Sequence, residues 1–200
     1  SLVHDKTPKY GNDDDYADLT VENVAVTVYA TQATGERDSD GPDYDGGANL
    51  PALNKDQLLE GLENGGELTL NNDIKTENAE DTAENRVIIA KPTVLNLGDN
   101  KIITPDNMGN NNTNFCALIV DADTTVNANA NGGIDTGING GYGINVRNGA
   151  KLTINGGYYY GGGTAVQVQK GELTINGGIF AVEPYDDPRY GYNFLLNCID

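Results

Sequence analysis

The 200-residue sequence has one histidine, two cysteines, three phenylalanines and no tryptophan. The histidine is His4, next to the terminus, so a histidine-based triad or a zinc site lacks its parts. Cys116 and Cys198 are too few for a disulfide framework. There is no run of about 18 apolar residues, so no membrane insertion is expected. Cationic residues are scarce: 12 Lys+Arg against 30 Asp+Glu give a net charge of −18. That charge repels nucleic-acid phosphate and anionic lipid, and neither is expected as a partner. It disfavours an acidic polysaccharide too, unless calcium bridges the two. The chain begins at Ser1 with no visible signal peptide, which predicts a removed leader or a longer parent protein.

Glycine, in contrast, is abundant at 26 residues, and asparagine is conspicuous. Both tolerate positive φ, so many tight bends are expected. Such a composition can mean disorder, but 38% of the residues are hydrophobic and fall into short alternating patterns. An all-β protein fits better.

An internal repeat sets the architecture. Lys151-Leu152-Thr153-Ile154-Asn155-Gly156-Gly157 recurs as Glu172-Leu173-Thr174-Ile175-Asn176-Gly177-Gly178. Upstream, Asn145-Val146-Arg147-Asn148-Gly149 matches Gln167-Val168-Gln169-Lys170-Gly171. Weaker copies begin at Leu118, Val87 and Leu68. Each unit is a short alternating strand, a bend and another alternating strand. One unit cannot bury its apolar side, whereas stacked units about 4.8 Å apart can, pairing their backbones in parallel ladders. The pattern predicts a right-handed parallel β-helix over residues 51–200. Asn155 and Asn176 fall at the same corner of successive coils, which predicts a side-chain amide ladder. Residues 54–62 read as a short amphipathic helix, with Asn54 and Gln57 at capping-box spacing and Gly61 or Gly65-Gly66 to stop it. A helix there would cap the N-terminal end of the stack.

That helix, the following Asn64-Gly65-Gly66-Glu67-Leu68-Thr69-Leu70-Asn71-Asn72-Asp73-Ile74, and then Val94 to Ile103, resemble the opening of pectate-lyase-like right-handed β-helix proteins. The Leu-Thr-Ile-Asn-Gly-Gly-Ile-Phe coil with Arg189 to Asn197 resembles β-helix proteins of gut bacteria and their phages. The resemblance covers residues 54–200. It implies a fold shared by enzymes, adhesins and fibres alike, and so fixes no activity.

Residues 1–50 differ. Leu19 to Ala30 alternates at Val24, Val26 and Val28, a β-strand pattern that Val21 precedes. One strand makes no domain, so this acidic arm is expected to serve attachment or assembly, or to be a leader that packs only locally. Glu36, Asp38 and Asp40 before Gly41 resemble the front of a calcium loop. However, Pro42 intrudes and Gly47 stands where a bidentate Glu belongs. Asp43 and Asp45 would have to supply the missing oxygens, and a solvated acidic linker is the simpler reading.

Catalytic groups are sparse. A pectate lyase needs a calcium-binding carboxylate cluster and an arginine base, but Arg147 has Asp121 and Gln169 as neighbours, which predicts a simple ion pair. Asp121 and Asp123 are about 6–7 Å apart along a strand, near glycosidase spacing, but no acidic site extends into the next coils. No catalytic residue and no obligate cofactor is therefore expected. Tyr142, Tyr158, Tyr159 and Tyr160 form an aromatic patch suited to stacking on a sugar or packing on a neighbour. Asn111-Asn112-Thr113 is a formal glycosylation sequon of the sort an Asn-rich loop produces by chance. Cys116 and Cys198, about three coils or 14 Å apart, are expected to be two free, buried thiols. The apolar segment 194–200 has no polar cap after it, which predicts that more chain or another subunit covers this end. The expected function is a non-enzymatic structural or adhesive protein, extracellular, on a cell surface or on a virion. It would assemble with itself or a larger particle, with binding of a surface glycan as the alternative and a polysaccharide lyase or hydrolase after that.

Overall fold

The computed structural model describes residues 51–76, 87–108, 116–184 and 193–199. The chain divides into two compact units, residues 1–30 and 31–200, and all described residues belong to the second. The strand pattern of residues 19–30, the calcium-loop pattern of residues 36–47 and the sequon at 111–113 lie outside the described residues.

The described chain is all-β apart from one helix, α1 (Lys55–Asn64). The strands are β1 (Gly66–Thr69), β2 (Ile74–Lys75), β3 (Ile88–Ile89), β4 (Thr93–Gly98), β5 (Lys101–Ile103), β6 (Cys116–Val120), β7 (Thr124–Ala128), β8 (Gly133–Asp135), β9 (Tyr142–Val146), β10 (Lys151–Gly161), β11 (Thr164–Gln169), β12 (Glu172–Val182) and β13 (Phe194–Ile199). The strand pairings are parallel. One sheet runs β13-β11-β9-β6-β3; the other runs β1-β4-β7-β10-β8-β5-β2, with β12 also on β10. The second sheet folds back because β10 bends in the middle: Leu152 to Asn155 pair with β7, and Tyr158 to Tyr160 pair with β8. Gly156 and Gly157, with φ of 81° and 96°, make that bend.

Period-2 alternation aligns like residues across the ladders. Leu68, Leu95, Val126, Ile154 and Ile175 form one row. Ile74, Ile102, Ile134, Tyr159 and Phe180 form a second. Leu118, Ile144, Val166 and Leu196 form a third. The first members of these rows are buried and belong to one apolar core. β6, β9 and β11 are buried on the opposite face as well: Ile119, Asn145, Ala165 and Gln167 are at most 1% exposed. Burial on both faces is usual for parallel sheets and explains why β6 reads as an unbroken apolar run.

The helix ends two residues later than its pattern suggests, at Asn64. Asn54 accepts from the Gln57 amide (3.0 Å), and Gln57 Oε1 accepts from the Leu53 amide (2.9 Å). Gly61 is inside the helix, packed so closely on the Leu68 side chain that a Cβ would collide with it. The stop is Gly65, at φ 72°, whose amide bonds the Gly61 carbonyl. Leu58 and Leu62 enter the core, and Ala52 pairs in parallel with Leu70 beside them.

The amide ladder is present and longer than predicted. Asn176 donates to Asn155 (2.8 Å), Asn155 to Asn127 (2.9 Å), Asn127 to Asn96 (2.7 Å) and Asn96 to Glu67 Oε1 (2.8 Å). A register shift pairs the Asn155 backbone with Gly177 rather than Asn176, yet the side chains still meet. Asn127 both donates and accepts, so Asn127→Leu removes two bonds and strands two half-buried partners. At about 1 kcal/mol per bond it is expected to cost about 2 kcal/mol. Asn176→Leu removes one exposed bond and is expected to cost less than about 1 kcal/mol. Urea-unfolding midpoints of the two variants compare these directly; equal midpoints would refute a cooperative ladder.

Candidate functional site

The four tyrosines do not form one patch. On β10 successive side chains alternate, so Tyr158 and Tyr160 face outward while Tyr159 points into the core. Tyr159 is fully buried and stacks on Phe180, with ring centroids 5.2 Å apart and planes 15° apart. Its ring is not available to a sugar, which corrects the expectation from sequence. Tyr142 is on β9, in the other sheet, paired with Cys116 and Thr164. Burial, with the Cys116 thiol beside it, raises the Tyr142 pKa.

Tyr158 borders an open groove of about 570 Å³, lined also by Asp73, Asp99, Lys101, Asn131 and Asp135. Lys101 Nζ lies 5.4 Å from the Tyr158 ring centroid and 3.9 Å from Asp135 Oδ2. Both contacts are solvent-exposed and contribute little to stability. They hold the phenol face against a cation, and Asp73 Oδ1 accepts from the Lys101 amide (2.8 Å).

Beside Tyr160, three carboxylates from three different stretches hold one turn. Asp135 Oδ1 accepts from the Gly137 amide (3.1 Å), Asp106 Oδ1 from Ile138 (2.8 Å) and Glu183 Oε2 from Asn139 (2.7 Å). Consecutive N–H groups thus each receive a carboxylate oxygen. Sequence reading missed this clamp because its members are scattered over 78 positions and share no motif. Burial first, and then the charges of Glu183, Asp135 and Asp106, raise the Tyr160 pKa.

Arg147 and Asp121 form the expected pair, with Nε to Oδ1 at 2.9 Å and Nη2 to Oδ2 at 2.7 Å. Both oxygens of Asp121 are engaged, and the Asp121 bond raises the Arg147 pKa. Asp123 Oδ1 accepts from the Lys151 amide (2.9 Å). Among the described residues no group of three His, Cys, Asp or Glu side chains is placed to hold a metal ion. Glu36, Asp38, Asp40, Asp43 and Asp45 lie outside the described residues, as do Val21, Val24, Val26 and Val28.

The other feature is the C-terminal edge. β12 and β13 repeat the inward residues of the strands before them, but with less burial. Ile154 is 0% exposed and its partner Ile175 is 38% exposed; Val166 is 0% exposed and its partner Leu196 is 44% exposed. A groove of about 480 Å³ opens between the two strands, lined by Val168, Leu173, Ile175, Leu196, Cys198 and Ile199. Cys116 and Cys198 form no disulfide; Cys116 is buried, but Cys198 is exposed in this groove. The expectation of two buried thiols fails at Cys198 because, among the described residues, β13 pairs on one edge only, with β11.

No family model, curated protein or solved structure matches this chain.

Proposed function

We propose that residues 51–200 form a right-handed parallel β-helix that serves as a non-enzymatic structural or adhesive module. It would be extracellular, on a cell surface or virion, and assemble with itself or with a larger particle. The observation that carries this is the C-terminal edge, where a layer of core-type side chains lies open. The opposite end is occupied by α1 and Ala52. Exposed apolar surface bordered by strand edges unpaired among the described residues calls for cover by further chain or by another subunit. The helical winding itself is supported by the parallel rows, the 21-residue recurrence between β10 and β12 and the bend in β10. A non-enzymatic role is supported by Asp121 and Asp123 being committed to Arg147 and the Lys151 amide. The test is the solution mass by light scattering with negative-stain images, in buffer and in EDTA. Rods, fibres or a defined oligomer are expected. A monomer at all concentrations would refute assembly, and dispersal by EDTA would assign calcium to the acidic loop of residues 36–47.

A second reading, glycan binding, is favoured by the Tyr158 groove. Its carboxylates select against acidic sugars, so neutral or amino sugars are the ligand class. Retention on an array of such glycans, lost in Tyr158→Ala, tests it.

A further inference from the structure

We propose that Asn139 is a self-modification site: its side chain cyclises onto the Gly140 amide and hydrolyses to aspartate or isoaspartate, which unfastens the clamped turn between β8 and β9.

The sequence holds six Asn-Gly pairs, beginning at Asn64, Asn131, Asn139, Asn148, Asn155 and Asn176. Glycine hinders the attack least, so all six are chemically capable of this reaction. The fold separates them. The reaction needs an asparagine side chain that can swing to the next residue's nitrogen, and a nitrogen whose N–H is not already donated. Gly65, Gly132 and Gly149 donate theirs to the carbonyls of Gly61, Asn129 and Lys170, which protects Asn64, Asn131 and Asn148. Asn155 and Asn176 are held by their side chains in the amide ladder. At Asn139 both freedoms remain. It is exposed, and among the described residues neither its side chain nor the Gly140 amide has a hydrogen-bond partner. Sterics also fix the pair. Asn139 has φ 49°, which asparagine tolerates better than most residues. A Cβ on Gly140 would overlap the Thr136 carbonyl oxygen, so no bulkier residue can stand there to slow the attack.

The Gly140 nitrogen gives up its proton and bonds Asn139 Cγ. The Cγ–Nδ2 bond breaks, and Nδ2 leaves as ammonia with that proton. Water then opens the cyclic imide. Opening at Cγ gives aspartate; opening at the main-chain carbonyl gives isoaspartate, whose backbone runs through Cγ and is one carbon longer. Either product puts another carboxylate on a turn already held by Asp135, Asp106 and Glu183, and like charges repel. Isoaspartate also displaces the Asn139 N–H, which donates to Glu183 Oε2 at 2.7 Å, relative to Gly140, which is packed on the Thr136 carbonyl. The turn cannot keep both contacts. It carries the chain from β8 in one sheet to β9 in the other.

The experiment ages the 200-residue chain in mildly alkaline buffer and follows all six pairs by peptide mass spectrometry, with a parallel sample in urea. Asn139 is expected to convert at least about tenfold faster than the other five in the folded chain, and at a similar rate to them in urea. Hydrogen exchange at residues 137–139 is expected to rise about tenfold as Asn139 converts. Asn139→Gly keeps the positive φ and removes the side chain, so its exchange is expected to stay constant over the same period. An Asn139 rate no higher in the folded chain than that of Asn148, whose following amide is bonded, overturns the site. Conversion at Asn139 with exchange at 137–139 unchanged, or an equal rise in aged Asn139→Gly, overturns the release of the turn.

Discussion

Tyr159→Ala is expected to destabilise the fold by about 3–5 kcal/mol, the range for deleting a buried aromatic side chain. The ring fills the row between Ile134 and Phe180, and its loss leaves Phe180 stacked on a void. Tyr159→Phe separates ring from hydroxyl. The Tyr159 hydroxyl is buried with no hydrogen-bond partner among the described residues, so removing it is expected to be neutral or to stabilise by up to about 1 kcal/mol. The two proteins should also differ in alkali. Burial raises the Tyr159 pKa above its ordinary value of 10.0, so the folded state keeps a proton that the unfolded state releases. Stability from this group is complete below pH 10 and declines as pH rises above it. Urea-unfolding midpoints at neutral pH and near pH 11 check this: Tyr159→Phe should lose less stability than the parent. An equal loss in both would show that Tyr159 titrates normally. Because Tyr159→Ala damages the core, only Tyr158→Ala and Tyr160→Ala probe sugar binding without confounding it with unfolding.

Gly133→Ala is expected to cost about 3 kcal/mol or more, through backbone collision rather than lost burial. Gly133 pairs with both Lys101 and Tyr158 at φ 144°, and a Cβ there would overlap the Tyr158 carbonyl oxygen. The neighbouring Tyr158 amide bonds the Gly132 carbonyl at 2.8 Å, so the strands cannot separate without breaking the ladder. Gly98→Ala is the control. Its φ of 57° strains alanine, but nothing lies within 4 Å of the added carbon, and it is expected to cost about 1–2 kcal/mol. Thermal melts of the two variants decide between collision and simple glycine entropy; equal melting temperatures would exclude the collision.

The recurrence of Leu-Thr-Ile-Asn-Gly-Gly was enough to pair β10 with β12 and to place Asn155 against Asn176, because parallel pairing of repeated strands converts equal spacing into equal position. Asn127 and Asn96 were not recognised as ladder members. Their spacing from Asn155 differs from the repeat, and only the parallel register shows that Val126 follows Leu95 in the same row. The Asp121–Arg147 pair was legible for the same reason as Asn155 and Asn176. The tyrosine patch was misread at Tyr159, although alternation along Tyr158-Tyr159-Tyr160 itself requires that the middle ring point away from its neighbours. The carboxylate clamp on residues 137–139 had no sequence signal at all.

The sequence by itself determined that the chain is β-rich, that its apolar residues alternate in short strands and that glycine pairs bend it. These are local matters of period and permitted φ. Only the tertiary structure decided which carboxylates share a turn, which tyrosines see solvent, and that Cys198 is exposed while Cys116 is buried. Burial depends on what lies on either side of a strand, and inward-facing side chains of the same kind in β11 and β13 differ because, among the described residues, β11 is paired on both edges and β13 on one. Strands β12 and β13 are apolar by sequence, and only the structure shows that Ile175 and Leu196 are exposed.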